Sequence, residues 1–296
     1  MKRHRSAEDY WIQRWTRAFR SPRTPGLRHG LGHDCAVLAP LPRGADLVLK
    51  TDAVVEGIHF LRTTPASLVG RKALARALSD LAAAGATPRA ALLTAGCPDK
   101  KSAARLESIY RGLASAARRW GVTVVGGETV RTRQLLLSVS ILGHVPRGLS
   151  PHRGGARPGH RLFVTGHLGG SWPHRHLTFA PRLPEGQWLA RKKIPSAMMD
   201  LSDGLGADLP RLARMSRIGF ELNPQKLPLA PGATVRQALG RGEDYELLFT
   251  VPATQVAALR KSWPFSTRLT EIGVCLPARS GFHAGELPLE GYDHLA

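Results

Sequence analysis

The stretch from Leu106 to Trp120 limits the fold more than any other. Leu106, Ile109, Tyr110, Leu113, Ala117 and Trp120 recur at three- and four-residue steps, the spacing of one buried helix face. Directly after it, Val122 to Val125 is a short apolar run that ends at Gly126-Gly127, as expected of a buried strand entering a turn. The same alternation extends both ways. Leu47 to Thr51 reads as a strand, Ser67 to Ala84 as a helix with Leu68, Leu74, Leu78 and Leu81 on one side, Ala90 to Ala95 as a strand, and Leu135 to Val145 as a long strand. Further on, Arg161 to Thr165, Ala197 to Leu201 and Glu246 to Val251 read as strands, and Leu205, Leu209, Leu212 and Met215 mark another helix. The pattern predicts an α/β protein of mixed α+β character.

The Gly/Pro-rich segment PRGLSPHRGGARPGHR is nearly free of apolar residues and marks a boundary between two domains, residues 30–148 and 149–296. Ahead of them, residues 1–29 form a basic extension in which Tyr10, Trp11, Trp15 and Phe19 predict a short amphipathic helix lying on the body rather than a nucleic-acid arm. No stretch reaches the length of a membrane span, and the basic start lacks the apolar core of a secretory signal. Cys35, Cys97 and Cys275 form no CxxC pair, which fits a reducing, cytoplasmic setting. The 42 Lys+Arg against 22 Asp+Glu give a formal charge of +20, a field that attracts any polyanion and selects none; genome composition explains it without a dedicated nucleic-acid partner.

In a chain so short of acids, their placement is informative. They gather where apolar strands end and glycine turns begin: Gly32-His33-Asp34, Lys50-Thr51-Asp52, Gly126-Gly127-Glu128, Asp200-Leu201-Ser202-Asp203-Gly204 and Gly242-Glu243-Asp244-Tyr245. Open α/β sheets bind ligands beyond the carboxyl ends of their strands, so these acids are expected to converge on one cleft. Magnesium is held by one or two carboxylates together with substrate phosphates, which makes such turns candidates for a multi-metal polyphosphate site. Each acid alone has a plainer reading, and Asp203 before Gly-Leu-Gly-Ala-Asp is equally a helix cap. Asp80 falls at the end of an Ala/Leu-rich helix, where its charge opposes the helix dipole. No Walker loop, zinc spacing or GxSxG elbow is present, and the loop GHLGGS is either a phosphate cradle or a simple turn.

With these residues in view, the chain resembles the thiamine-monophosphate kinases, a branch of the aminoimidazole ribonucleotide synthetase-like superfamily. GLGHDCAVL is similar to the family's GIGDDAAVL and LVLKTDAVVEGIHF to its TTD-x-x-VEGVHF; GRKALARALSDLAAAGATPRAAL, VVGGETVR, RGGARPG, DLSDGLGADL, GRGEDYELLFTVP and GYDH follow in the family's order. The resemblance implies a two-domain fold whose N-terminal sheet contributes to a dimeric barrel, with ATP as phosphoryl donor, several Mg2+ ions and thiamine monophosphate as acceptor. It assigns Asp34, Thr51, Asp52, Asp80, Glu128, Asp200 and Asp203 to metal; Gly127, Glu128, Arg153, Ser202 and Tyr110 to the nucleotide; and His59, Glu243 and Tyr292 to the acceptor. The implied mechanism is direct in-line transfer without a distinct general base.

The departures run toward lost acid or gained base. His33, Glu128 and Gly170 stand where the family usually has Asp, Lys50 where it has Ser or Thr, and Arg241 where it has Gly, while the stretch from Ser171 to Asp200 is short. Three readings follow: an active kinase of this family, a superfamily relative acting on another small metabolite, or a decayed, non-catalytic binding protein with a basic surface.

Overall fold

The structure, a computed structural model, describes residues 11, 14–19, 27–29, 36–285 and 287–292. The chain divides into two units, Met1–Leu78 with Pro88–His144, and Ser79–Thr87 with Val145–Ala296.

In the first unit β1 (Leu27–His29) and β2 (Val37–Leu38) form a small antiparallel pair. The main sheet is built from β3 (Ala45–Val55), β4 (Thr87–Cys97), β5 (Thr123–Arg131) and β6 (Leu136–Pro146), in the order β3-β6-β4-β5. Helix α1 (Ala66–Ala83) and helix α2 (Lys100–Arg119) accompany it. The residues of the predicted helical stripe Leu106, Ile109, Tyr110, Leu113 and Ala117 are all buried. Asp99 starts α2 by accepting the Ser102 N–H at 2.7 Å, and Arg118 and Arg119 close it, each at the end the helix dipole favours.

Two glycines set the distance between these helices. A Cβ on Gly70 would meet the Ile109 carbonyl oxygen at 1.9 Å, and one on Gly112 would meet the Ser67 carbonyl oxygen at 2.0 Å, so backbone lies against backbone. Gly112→Ala must push the helices apart and is expected to cost about 1–3 kcal/mol, seen as a melting point several degrees lower. A melt unchanged from wild type would contradict this packing.

The N-terminal segment is held by side chains. Trp15 is buried, donates from Nε1 to the Ala103 carbonyl at 3.1 Å and stacks on Tyr110 at 5.7 Å, while Arg14 reaches Glu107 at 2.6 Å.

The second unit is organised by a six-stranded sheet of β7 (Arg161–Thr165), β8 (Ala197–Asp200), β9 (Ile218–Leu222), β10 (Leu247–Val251), β11 (Leu269–Pro277) and β12 (Phe282–His283). The order is β12-β9-β11-β7-β10-β8, antiparallel except where β12 joins β9. Helices α3 (Leu183–Arg191), α4 (Leu205–Ser216), α5 (Val235–Gly240) and α6 (Val256–Ser262) complete it. Leu205, Leu209 and Leu212 of α4 enter a core with Val164, Met199, Phe220 and Leu248 from the sheet. Among the described residues, no helix is long and apolar enough to cross a membrane.

Candidate active site

In the first unit, three predicted or altered positions fall together on β3, and strand alternation separates them. Thr51 is exposed, its hydroxyl 3.1 Å from Ser140 Oγ and 3.4 Å from Ser138 Oγ. Asp52 faces the other way, half-buried, 3.2 Å from Arg76 Nη2 and accepting the Ala53 N–H at 3.0 Å. Alternation puts Lys50 on the Asp52 side. Beyond the strand, His59 Nδ1 accepts the Val55 N–H at 3.1 Å, which leaves the proton of the neutral ring on Nε2. The His59 carbonyl takes a 2.6 Å hydrogen bond from the buried ammonium of Lys72.

Gly127 lies hard against β4, where a Cβ would meet the Leu93 carbonyl oxygen at 1.9 Å. Its neighbour Glu128 is exposed. Because β3 and β5 are opposite edges of the sheet, three strand spacings or about 14 Å apart, Asp52 and Glu128 are not neighbours in this unit. Tyr110 is enclosed, with Trp15 at 5.7 Å and Phe19 at 5.4 Å, and burial pushes its phenol above the ordinary value. Asp34 and His33 lie outside the described residues.

The second unit brings several predicted residues together. Asp200 ends β8, buried, in register with Leu247 of β10. The chain then turns through Ser202 and Asp203, whose N–H groups both donate to Asp208 Oδ2 at 3.0 Å. Burial, reinforced by the nearby Asp203, raises the Asp208 carboxyl to about 6. Arg211 donates to Asp203 and, at 2.7 Å, to Asp208. Glu243 donates its N–H to the Ser202 carbonyl at 2.6 Å, and Tyr292 its N–H to the Asp203 carbonyl at 2.9 Å. Three segments distant in sequence thus meet at Asp200–Gly204. Arg153 is exposed, and Asp80, half-buried near the end of α1, accepts the Ala84 N–H at its carbonyl.

The run Gly242–Glu246 works as a clip, each side chain engaging a neighbour. Glu243 pairs with His176 at 2.8 Å. Asp244 accepts from the Gly169 N–H at 3.0 Å, Ser171 Oγ at 2.6 Å and Arg175 at 2.7 Å; burial still raises its carboxyl to about 6. Tyr245 stacks on Phe179 at 4.1 Å, and Glu246 takes two 2.6 Å hydrogen bonds from Arg182 and one of 2.8 Å from Thr165. Within GHLGGS, the N–H groups of Gly166, Leu168 and Gly169 donate to the Arg268 and Pro228 carbonyls and to the Asp244 carboxylate, so these three serve the protein's own fold.

Sequence reasoning missed His176, Arg175, Arg182, Asp208 and Arg211. The only available signal was an excess of acids in GEDYE and DGLGAD over what ligand contact requires.

The donor set of Asp200, Ser202 and Asp203 is all hard oxygen. Among the described residues, no three His, Cys, Asp or Glu side chains stand together as a metal cage. Hard oxygen donors fit magnesium, which completes its shell with phosphate oxygens and water.

The family model for the AIR synthase related protein N-terminal domain matches residues 32–145. The chain is 35% identical over 273 residues to the thiamine-monophosphate kinase of Rhodopirellula baltica, covering 86% of this chain and 85% of that one. Among solved structures, the thiamine-monophosphate kinase from Stenotrophomonas maltophilia K279a is similar at a TM-score of 0.79 and 30% identity, over 93% of this chain and 94% of that one. AaThiL complexed with AMPPCP and TMP is similar at a TM-score of 0.75 and 31% identity, over 86% and 90%.

Proposed function

Because the chain belongs to the thiamine-monophosphate kinase family, we propose that it transfers the γ-phosphoryl group of ATP to thiamine monophosphate, with magnesium, by in-line displacement. The observation that carries this reading is the meeting of Asp200–Gly204, Gly242–Glu243 and Gly291–Tyr292 in the second unit. These segments carry hard oxygen donors, a carboxylate and an aromatic ring, a combination suited to a phosphorylated acceptor with a cationic ring. A relative solved with AMPPCP and TMP supports the same pair of substrates.

In this mechanism an oxygen of the acceptor's phosphate attacks the γ-phosphorus while the bond to the β–γ bridging oxygen breaks and ADP leaves. A phosphate monoester is largely ionised near neutrality, so no side chain needs to remove a proton. Asp80, Asp200 and Asp203 in the second unit and, separately, the family's positions Asp34, Thr51, Asp52 and Glu128 in the first would hold magnesium ions, which when bound neutralise charge on the transferring phosphates. In the second unit Arg153 and Ser202 orient the nucleotide, and Glu243 sets a negative charge and Tyr292 a ring against the thiamine; in the first unit the family's positions are the backbone at Gly127 for the nucleotide and His59 for the thiamine. Tyr110, which the resemblance assigns to the nucleotide, is packed against Trp15 and Phe19.

Purified protein given ATP, magnesium and thiamine monophosphate should yield thiamine diphosphate and ADP in equal amounts. ADP release with some other acceptor instead, or no product at any magnesium level, would overturn the assignment. The absence of CxxC pairing among the cysteines supports activity in the cytoplasm.

The reading includes a homodimer. Leu47, Leu49, Leu92 and Val130 are exposed apolar side chains on the sheet of the first unit, Leu49 at 69%. Leu49, Thr51, Leu92 and Ser140 help line an open groove of about 580 Å³. A soluble monomer rarely leaves such a face bare, and a second copy of the same sheet is its natural cover. Light scattering should give twice the chain mass, and Leu49→Asp combined with Leu92→Asp should give a monomer. A monomeric wild type would remove the dimer from the proposal.

A further inference from the structure

Within the second unit, His176 has no part in the mechanism above, yet its surroundings are unusually specific. The residue is 1% exposed. Its Nδ1 lies 2.8 Å from Glu243 Oε2, and its Nε2 lies 3.0 Å from the Pro173 carbonyl oxygen. Trp172 covers the ring, with centroids 4.1 Å apart and planes at 27°. The turn bearing Trp172 is fixed in its own right, because Ser171 and Arg175 both donate to the buried Asp244.

Glu243 at the other end of this contact is held in a conformation that needs support. Its φ is +59°, a left-handed backbone that a non-glycine residue keeps only where neighbours determine it. Its N–H is tied to the Ser202 carbonyl at 2.6 Å, and its Oε1 lies 3.5 Å from the Tyr245 hydroxyl. The side chain stays 15% exposed while His176 is enclosed, so the pair has a buried end and an end that meets solvent. A contact kept only for stability has no need of a strained backbone beneath its accessible member.

We propose that His176 is a positioning residue for the phosphoryl acceptor: through Nδ1 it locks the Glu243 carboxylate in one rotamer, with the stacked Trp172 fixing the ring in turn. The inference rests on the proposed function and names how its acceptor site is ordered. A free glutamate side chain samples several rotamers, and ordering it before the acceptor arrives removes that cost from binding. The effect belongs to the acceptor alone, since Glu243 is not assigned to ATP.

Steady-state kinetics with thiamine monophosphate and ATP varied separately test this. His176→Phe keeps a ring under Trp172 but removes both nitrogens, and should raise KM for thiamine monophosphate about tenfold while KM for ATP stays within about twofold. His176→Leu serves the same comparison if the Phe variant does not fold. His176→Asn places an amide N–H near the position of Nδ1 and should recover most of the loss. On a Glu243→Ala background, His176→Phe should add nothing further, because the carboxylate it positions is gone. Equal rises in KM for both substrates, or independent multiplicative effects of the two substitutions, would reduce His176 to a packing residue and overturn the inference. An active wild type with an unaffected His176→Phe would also sink it alone, whereas a wild type that forms no thiamine diphosphate would overturn the proposed function and this inference with it.

Discussion

Arg182→Ala is expected to lower the unfolding free energy by about 3–5 kcal/mol, the usual consequence of removing one partner from a buried ion pair. Glu246 is 1% exposed and takes two 2.6 Å hydrogen bonds from the Arg182 guanidinium. Burial works against the charge on Arg182, but the hydrogen bonds and charge of Glu246 outweigh it and hold the guanidinium above its ordinary value. Without Arg182 the carboxylate keeps the Thr165 hydroxyl at 2.8 Å and the more distant Arg175 at 3.6 Å, which is too little to compensate a buried charge. A melting point lower by roughly 10 °C is the expected reading. Replacing both members, Arg182→Met with Glu246→Leu, should recover most of the loss, since an apolar pair of similar volume needs no compensation. A single variant that melts within a degree or two of wild type would show that solvent reaches Glu246 and that the clip is not buried as described.

The contrast between this pair and the predicted ligands explains what was legible in the sequence. The elements came through where periodicity was strong. The stripe from Leu106 to Ala117 is the buried face of α2, and the predicted helix at Ser67 to Ala84 differs from α1 by one residue at each end. Strand β7 matches its predicted bounds, Arg161 to Thr165. By contrast, β3 runs on to Val55, because Asp52 on a strand interrupts apolar content without interrupting alternation. Strands β9 and β11 and helix α3 were not predicted. IGFEL and LTEIGVCLP carry glycines where the backbone of a neighbouring strand lies close, and LPEGQWLAR mixes proline and glycine into a helix that tertiary packing stabilises.

For the site, local turn chemistry pointed to Ser202, Asp203 and Glu243, which the structure does place together. It was silent on His176 and Arg182, whose roles come from partners 67 and 64 residues away in the chain. A lone His in a polar stretch and an Arg before a leucine have nothing to distinguish them until the fold supplies a carboxylate. The reverse holds for Tyr110: the same periodic spacing that identified α2 also placed this ring among the buried ones.

Asp200→Asn is expected to reduce kcat by roughly 10²–10³-fold with the fold intact, the size of loss that follows removal of a preorganised charge from a phosphoryl-transfer site. Asp200 is the buried acid at the end of β8, and asparagine has the same shape. Asp203→Asn should do less, because Arg211 already compensates Asp203 and would keep Asp208 as a partner at 2.7 Å. If Asp200 holds magnesium, its variant should also need more of the ion for half-maximal rate, and calorimetry with magnesium and AMPPCP should show weaker binding. A kcat near wild type with unchanged magnesium dependence would remove Asp200 from the metal set. The opposite ranking, with Asp203→Asn the more damaged, would mean that Arg211 releases Asp203 when the nucleotide binds, and that the guanidinium holds the site's charge in reserve until then.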